Sequence, residues 1–257
     1  MLLVVACALL GLLVGSFLNV VVWRLPRRES LLRPASHCPT CSAPVRPRDN
    51  VPVLSWLVLR GRCRNCAAPI SRRYPAVELL TAAVFAALAA RLGPDTALPA
   101  FLYLGGVGVA LALIDLDVHR LPNALTLPSY AVGAALLTGA AAVDGSAGPL
   151  LRGLLGMVAL LGLYLLLALA YPAGMGLGDV KLAGLLGLYL GWLGWGVWAV
   201  GAFAAFLLGG VSGIALMAAG RAGRKSALPF GPFMLGGALL AVLAGQALAD
   251  AYVGTVG

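Results

Sequence analysis

Apolar residues in this chain fall into long unbroken runs, without the alternation of a half-buried strand or the three-to-four spacing of a surface helix. The runs cover about 1–22, 76–92, 97–114, 124–143 and 148–171, then a stretch from 180 past 212, and finally 230–252. A run of about 20 apolar residues is what a helix needs to cross the hydrocarbon core of a bilayer. The stretch beginning at Val180 is too long for one crossing. It is expected to break near Gly191-Trp192-Leu193-Gly194-Trp195, where two tryptophans suit a membrane interface. A short sixth helix over Val180–Leu190 and a seventh over Gly196–Ala219 result, making about eight spans. Pro128 falls in the first turns of the fourth, where a missing N–H does least harm.

Residues from about Arg24 to Tyr74 have another character, polar and rich in proline and arginine. The expected organisation is an all-α polytopic membrane protein. It has a first transmembrane helix over 1–23, a small cytoplasmic domain inserted after it over 24–75, and a seven-helix membrane core over 76–257. Composition agrees: 61% of the 257 residues are hydrophobic and 11% charged, outside the range of soluble domains. A net charge of +9 would point to nucleic acid in a soluble protein, but no nucleic-acid-binding pattern is present. Orientation in the bilayer explains the charge better. Eight spans put eleven arginines from Arg24 to Arg73 on one side, with Arg120, Lys181, Arg221, Arg224 and Lys225; only Arg91 and Arg152 fall on the other. The positive-inside rule makes the first side cytoplasmic and places both termini outside. No basic residue precedes the first run and Arg24, Arg27 and Arg28 follow it, the reverse of a cleavable signal peptide, so this helix is expected to be retained.

Within the polar segment, Cys38-Pro39-Thr40-Cys41 and Cys63-Arg64-Asn65-Cys66 are separated by 21 residues. Two such knuckles can supply four thiolates to one tetrahedral zinc, which would substitute for a core that some fifty residues cannot build. Two disulfides are the competing reading, disfavoured by a cytoplasmic location. His37 adjoins the first pair as a bystander. Glu78 lies one turn inside the second helix, either as a favourable charge at a helix start or with a functional role. Asn19 reads as a helix-packing polar residue.

The candidate catalytic groups are Asp115, which ends the third run, and Asp179, which follows the glycine-rich turn Pro172-Ala173-Gly174-Met175-Gly176-Leu177-Gly178. Carboxylates at membrane spans are costly and mark functional sites by default. Asp179 can also be simply a helix cap. Gly176 and Gly178 leave backbone against which a substrate peptide can lie. Both aspartates fall at cytoplasmic ends of spans, and together they could share one proton and hydrolyse a peptide in the aspartic manner. Asp115 rather than Asp117 is the expected partner, being deeper and pointing about 200° away from Asp117 on a continuing helix. No His-Glu-x-x-His or Ser/His/Asp set competes. A proton- or cation-coupled transporter using the paired aspartates is the alternative.

These residues resemble the type IV prepilin peptidases nearly end to end. The resemblance is carried by Gly15-Ser-Phe-Leu-Asn-Val-Val-Val-Trp-Arg-Leu-Pro26, the two cysteine pairs, Ile70-Ser-Arg-Arg-Tyr-Pro-Ala-Val-Glu78, and Asp115 with Leu121-Pro122-Asn123. Gly176-Leu-Gly-Asp179 and Phe230-Gly-Pro-Phe233 complete it. It implies an inner-membrane peptidase whose two aspartates cleave the basic leader of type IV prepilins and of related pseudopilins of secretion systems. It also implies methylation of the freed amine with S-adenosylmethionine.

Overall fold

A computed structural model describes residues 1–172, 174–221, 223 and 228–256; Ala173 of the glycine-rich turn, and Arg224 and Lys225 of the charge count, lie outside the described residues. The chain forms two compact units, Met1–Pro94 and Asp95–Gly257. Among the described residues the secondary structure is helical apart from two isolated β-bridges.

In the first unit α1 (Leu2–Arg24) packs along α3 (Arg73–Leu92). A Cβ on Gly11 would lie 2.7 Å from Ala82 Cα, and one on Gly15 2.7 Å from Glu78 Cα, so these glycines let the two backbones touch. Asn19 donates to the Gly15 and Tyr74 carbonyls, the packing role expected of it. The polar segment between the helices carries 3-10 turns at Leu25–Arg27 and Pro47–Asp49 and the short helix α2 (Leu54–Val58).

The second unit contains α4 (Leu98–Val118), α5 (Asn123–Asp144), α6 (Gly148–Ala170), α7 (Leu177–Leu193), α8 (Trp195–Ala218) and α9 (Gly231–Val256). Among the described residues, seven of the long helices are long and apolar enough to cross a membrane. The remaining long one, α7, has 17 residues, about 26 Å against a hydrocarbon core of about 30 Å. It can be short because it is the centre of its unit: every residue from Leu182 to Trp192 is buried, so other helices and not lipid surround it. Its closest neighbour is α6, where a Cβ on Gly156 would lie 2.7 Å from the Gly187 carbonyl oxygen. Arg152, near the start of α6, donates to the Gly191 and Trp192 carbonyls and so caps the C-terminal end of α7.

The long apolar stretch breaks at Gly194, whose φ of 152° favours glycine. The two tryptophans do not share an interface role, because Trp192 is buried inside the unit and Trp195 is exposed. Helix ends in this unit are tied in pairs. Thr96 donates to Asp144 at one end, and Lys181 donates to Asn123 at the other.

Candidate active site and metal centre

Helix α4 continues through Asp115 and Asp117 and stops where His119 takes a left-handed φ of 52°. Asp115 is 5% exposed, while Asp117 faces outward. The Asp115 Oδ2 accepts the Gly231 N–H at 3.0 Å. Gly231 is the first residue of α9, whose N–H has no partner within its own helix, so Asp115 caps α9 from a distant part of the chain. A Cβ on Gly231 would lie 2.8 Å from that same oxygen.

Asp179 lies in the first turn of α7 and is half-buried. Its Oδ2 accepts the Gly176 N–H at 3.1 Å and its own N–H returns to the Gly176 carbonyl, so the cap role is present. The element that bears Asp179 and the residue that binds Asp115 both abut Leu121. Leu121, from the Leu-Pro-Asn connector between α4 and α5, holds the two elements in register. A Cβ on Gly178 would meet the Leu121 Cβ at 3.2 Å, and one on Gly231 the Leu121 Cδ2 at 3.3 Å. Gly178 therefore makes room for Leu121, while Gly176 is exposed. Lys181 Nζ donates to Asn123 Oδ1 at 3.0 Å and ties the start of α7 to the start of α5. Phe230, just before α9, packs among Tyr164, Phe206 and Phe233, with ring centroids 5.5 to 6.4 Å apart, and fixes where Gly231 presents its N–H. Sequence reasoning assigned no role to Gly231, Leu121 or Phe230. The available signal was Phe230-Gly-Pro-Phe233 opening an apolar run, since proline in a first turn marks a helix start.

In the first unit the four cysteines converge, with all their sulfurs within 4.8 Å of one another. Cys38 and Cys66 sulfurs are 3.8 Å apart and those of Cys41 and Cys63 4.0 Å. A disulfide would bring a pair to about 2.05 Å, whereas a tetrahedron with metal–sulfur bonds of about 2.3 Å has an edge of about 3.8 Å. The four thiols can thus hold one metal ion. The knuckles repeat each other. Cys38 N–H donates to Ala43 O and Ser42 N–H to Cys38 O; likewise Cys63 N–H donates to Ala68 O and Ala67 N–H to Cys63 O. Ser42 and Ala67 are both left-handed, at φ 58° and 57°, and His37↔Pro44 and Arg62↔Pro69 close the loops. The N–H groups of Cys41 and Thr40 hold the Cys38 thiol down to about 6, while, against the Ala68 N–H, burial and the neighbouring Cys41, Cys63 and Cys38 thiols push Cys66 up to about 12. His37 stays outside the cluster, its Nδ1 paired with the Ala35 carbonyl. Arg64, inside the second knuckle, grips Asp49 and holds that carboxyl below its usual range.

Glu78 is buried, and its Oε2 accepts the Val53 N–H at 2.7 Å. Val53 has φ 59° and ψ −51°, with Leu54 N–H donating to Pro52 O, a strained γ-turn for a β-branched residue. Glu78 therefore anchors the polar segment onto α3 instead of serving as a free charge at a helix start.

Residues 9–92 match the Bacterial Peptidase A24 N-terminal domain and residues 102–217 the Type IV leader peptidase family. A prepilin leader peptidase/N-methyltransferase of Aeromonas hydrophila is 43% identical over 209 residues, covering 71% of this chain and 71% of that protein. One from Aeromonas salmonicida is 37% identical over 275 residues, covering 96% and 93%. One from Neisseria gonorrhoeae is 37% identical over 213 residues, covering 72% and 73%. No solved structure matches. With both family domains matched in chain order, and relatives aligned over most of their length, the chain belongs to the type IV leader peptidase family.

Proposed function

We propose that this multi-pass protein is an inner-membrane aspartic endopeptidase that removes the basic leader of type IV prepilins and related pseudopilins at the cytoplasmic face, with Asp115 and Asp179 as the catalytic pair. The observation that carries the assignment is that two distant aspartates are each fixed by a backbone N–H at the start of a helix, with Leu121 wedged between the elements that bear them. Two neighbouring carboxyls retain one proton between them. The ionised member takes a proton from water, whose oxygen attacks the scissile carbonyl, while the protonated member donates to the carbonyl oxygen. Collapse of the tetrahedral species breaks the C–N bond as the leaving nitrogen receives a proton from the pair. A transporter reading gains no support, since both carboxylates lie at one end of the second unit and not at its middle.

Cys38, Cys41, Cys63 and Cys66 are assigned to one structural zinc, because thiolate ligation at these sulfur spacings suits that ion. The relatives' name, prepilin leader peptidase/N-methyltransferase, supports a second activity toward the freed α-amine. S-adenosylmethionine, when bound, would supply the methyl group for that amine and leave as its thioether, the amine's proton passing to water.

The test is incubation of the purified protein with a prepilin and mass spectrometry of the product. Asp115→Asn and Asp179→Asn should each abolish leader cleavage while zinc content and insertion stay as in the parent. Asp117→Asn should keep substantial activity. Cleavage at the parental rate by either of the first two refutes the aspartic pair.

A further inference from the structure

We propose that the crevice of about 340 Å³ along the polar end of α1 holds one anionic membrane phospholipid, its phosphate at Arg24 and the upper part of an acyl chain laid along the helix. One wall is a single stripe of α1, formed by Leu13, Phe17, Val20 and Arg24. Spaced by three and four residues, these side chains share one face over about 16 Å of helix. Leu13 and Phe17 are 62% and 50% exposed on a helix long and apolar enough to cross a membrane, so this part of the stripe meets lipid chains. Val20 and Arg24, nearer the polar end, are half-buried. The opposite wall is the loop that follows α1, with Leu31, Pro34 and Ser36 among its lining residues. Arg24 fastens that loop by donating to the Ser30 carbonyl at 3.0 Å and the Pro34 carbonyl at 2.8 Å. A helix face in ordinary contact with lipid has no such roof.

The walls select the ligand. The apolar stripe runs into the bilayer, so a ligand that covers it carries a hydrocarbon chain, and a free phosphate would leave it bare. Arg24 is the one charged residue among those lining the crevice. A guanidinium has five donors, and those not spent on the two carbonyls can receive phosphate oxygens. With no carboxylate in the lining, a headgroup ammonium finds no partner there, which favours a lipid of net negative charge over a zwitterionic one. Ser36 and Asn50 also line the crevice, and a hydroxyl and an amide suit phosphate and glycerol oxygens. The surrounding stretch adds exposed Arg27, Arg28 and Arg33 against one acid, Glu29, a juxtamembrane cluster of the kind that draws anionic lipid. Leu32, which lines the crevice and is 85% exposed, puts an apolar side chain beside those cations, as expected of a loop that enters the membrane interface. The volume takes a headgroup and the first carbons of one chain, and the rest of the lipid stays in the bilayer.

The experiment uses the full-length protein in phosphatidylcholine vesicles containing a trace of phosphatidylglycerol with a photoactivatable diazirine in one acyl chain, followed by mapping of the labelled peptides. The peptide containing Phe17 is expected to take at least five-fold more label than the one containing Phe203, an α8 side chain that is 68% exposed and stands for ordinary lipid contact. A phosphatidylcholine probe with the same chain should show no such enrichment. Arg24→Gln should lower the ratio at least five-fold. Because that change also releases the loop, Ala35→Trp is the second variant: it keeps both Arg24 bonds, fills the crevice from an exposed lining position, and should lower the ratio as far while zinc content stays as in the parent. Equal labelling of the two peptides shows ordinary lipid contact only and overturns the site, as does parental enrichment in Ala35→Trp. Equal enrichment with the phosphatidylcholine probe, or displacement of the label by water-soluble glycerol phosphate, overturns an anionic phospholipid as the occupant.

Discussion

Gly231 does two things for Asp115: its N–H fixes Oδ2, and its missing side chain leaves that oxygen undisturbed. The nearest atom to an added Cβ is a carboxylate oxygen and not backbone, so the strain would be relieved by turning Asp115 away and the helices could stay in place. Gly231→Ala is therefore expected to lower kcat for leader cleavage far more than it lowers stability. Misplacement of a reacting group by about 1 Å can cost about a hundred-fold in rate. Cleavage kinetics with a parallel melting curve would check this, and a variant that melts early while its folded fraction cleaves normally would sink it. At this scale the sequence disclosed the candidate aspartates and concealed their supports. Asp115 and Asp179 stand out because carboxylates are rare in apolar runs. Gly231, Leu121 and the Val53–Glu78 bond act through contacts between positions far apart in the chain, which no local pattern records.

Helices α6 and α7 meet through backbone, which makes their contact the least forgiving in the second unit. A Cβ on Gly156 would face the Gly187 carbonyl oxygen at 2.7 Å and Gly191 Cα at 3.1 Å, so the helices themselves must separate. Gly156→Ala should destabilise the protein by about 1–3 kcal/mol, read as a lower unfolding temperature in detergent. Gly162→Ala, on the same helix with nothing within 4 Å, should be neutral or stabilising, since alanine is the better helix former. Equal melting of the two variants would refute the contact. The metal knuckles form another such element. Chelation is expected to expose the polar segment to protease, because structural zinc contributes on the order of 10 kcal/mol of folding free energy, and single Cys→Ser changes should lower zinc content. Metal-free protein that resists protease would refute this. Long apolar runs made nearly every helix legible, since hydropathy alone decides what can sit in a bilayer. The break at Gly194 was placed only approximately, because tryptophan reads as an interface residue whether it faces lipid or, like Trp192, the protein interior. Helix α2 and the two 3-10 turns were not foreseen: Glu78 pins Val53 at the start of α2 and Arg64 pins Asp49 of the Pro47–Asp49 turn, contacts that periodicity does not record.

For the molecule as a whole, the contacts within the second unit sort its helix ends into two sets. Asp115 with Gly231 and Lys181 with Asn123 mark one end; Thr96 with Asp144 and Arg152 with the last turn of α7 mark the other. Arg120, Lys181 and Arg221 belong to the first set, and so do Arg224 and Lys225 by sequence. Arg152 alone belongs to the second, and its guanidinium is committed to the carbonyls of Gly191 and Trp192. A cation used as a helix cap says little about orientation, so the remaining asymmetry is one-sided, which supports the proposal that the aspartate end faces the cytoplasm. Under that proposal the pair would have access to a leader that is basic and therefore retained on the cytoplasmic side. Cysteine introduced at Asp144 should react with a membrane-impermeant maleimide added to intact spheroplasts. Cysteine at Arg221 should react only after the membrane is opened. Loss of one of the five cations on its side leaves the charge asymmetry in place, so the second variant still reports the native orientation. The opposite labelling pattern would put Asp115 and Asp179 on the side where no uncleaved leader waits, and the leader-peptidase assignment would fall with the topology.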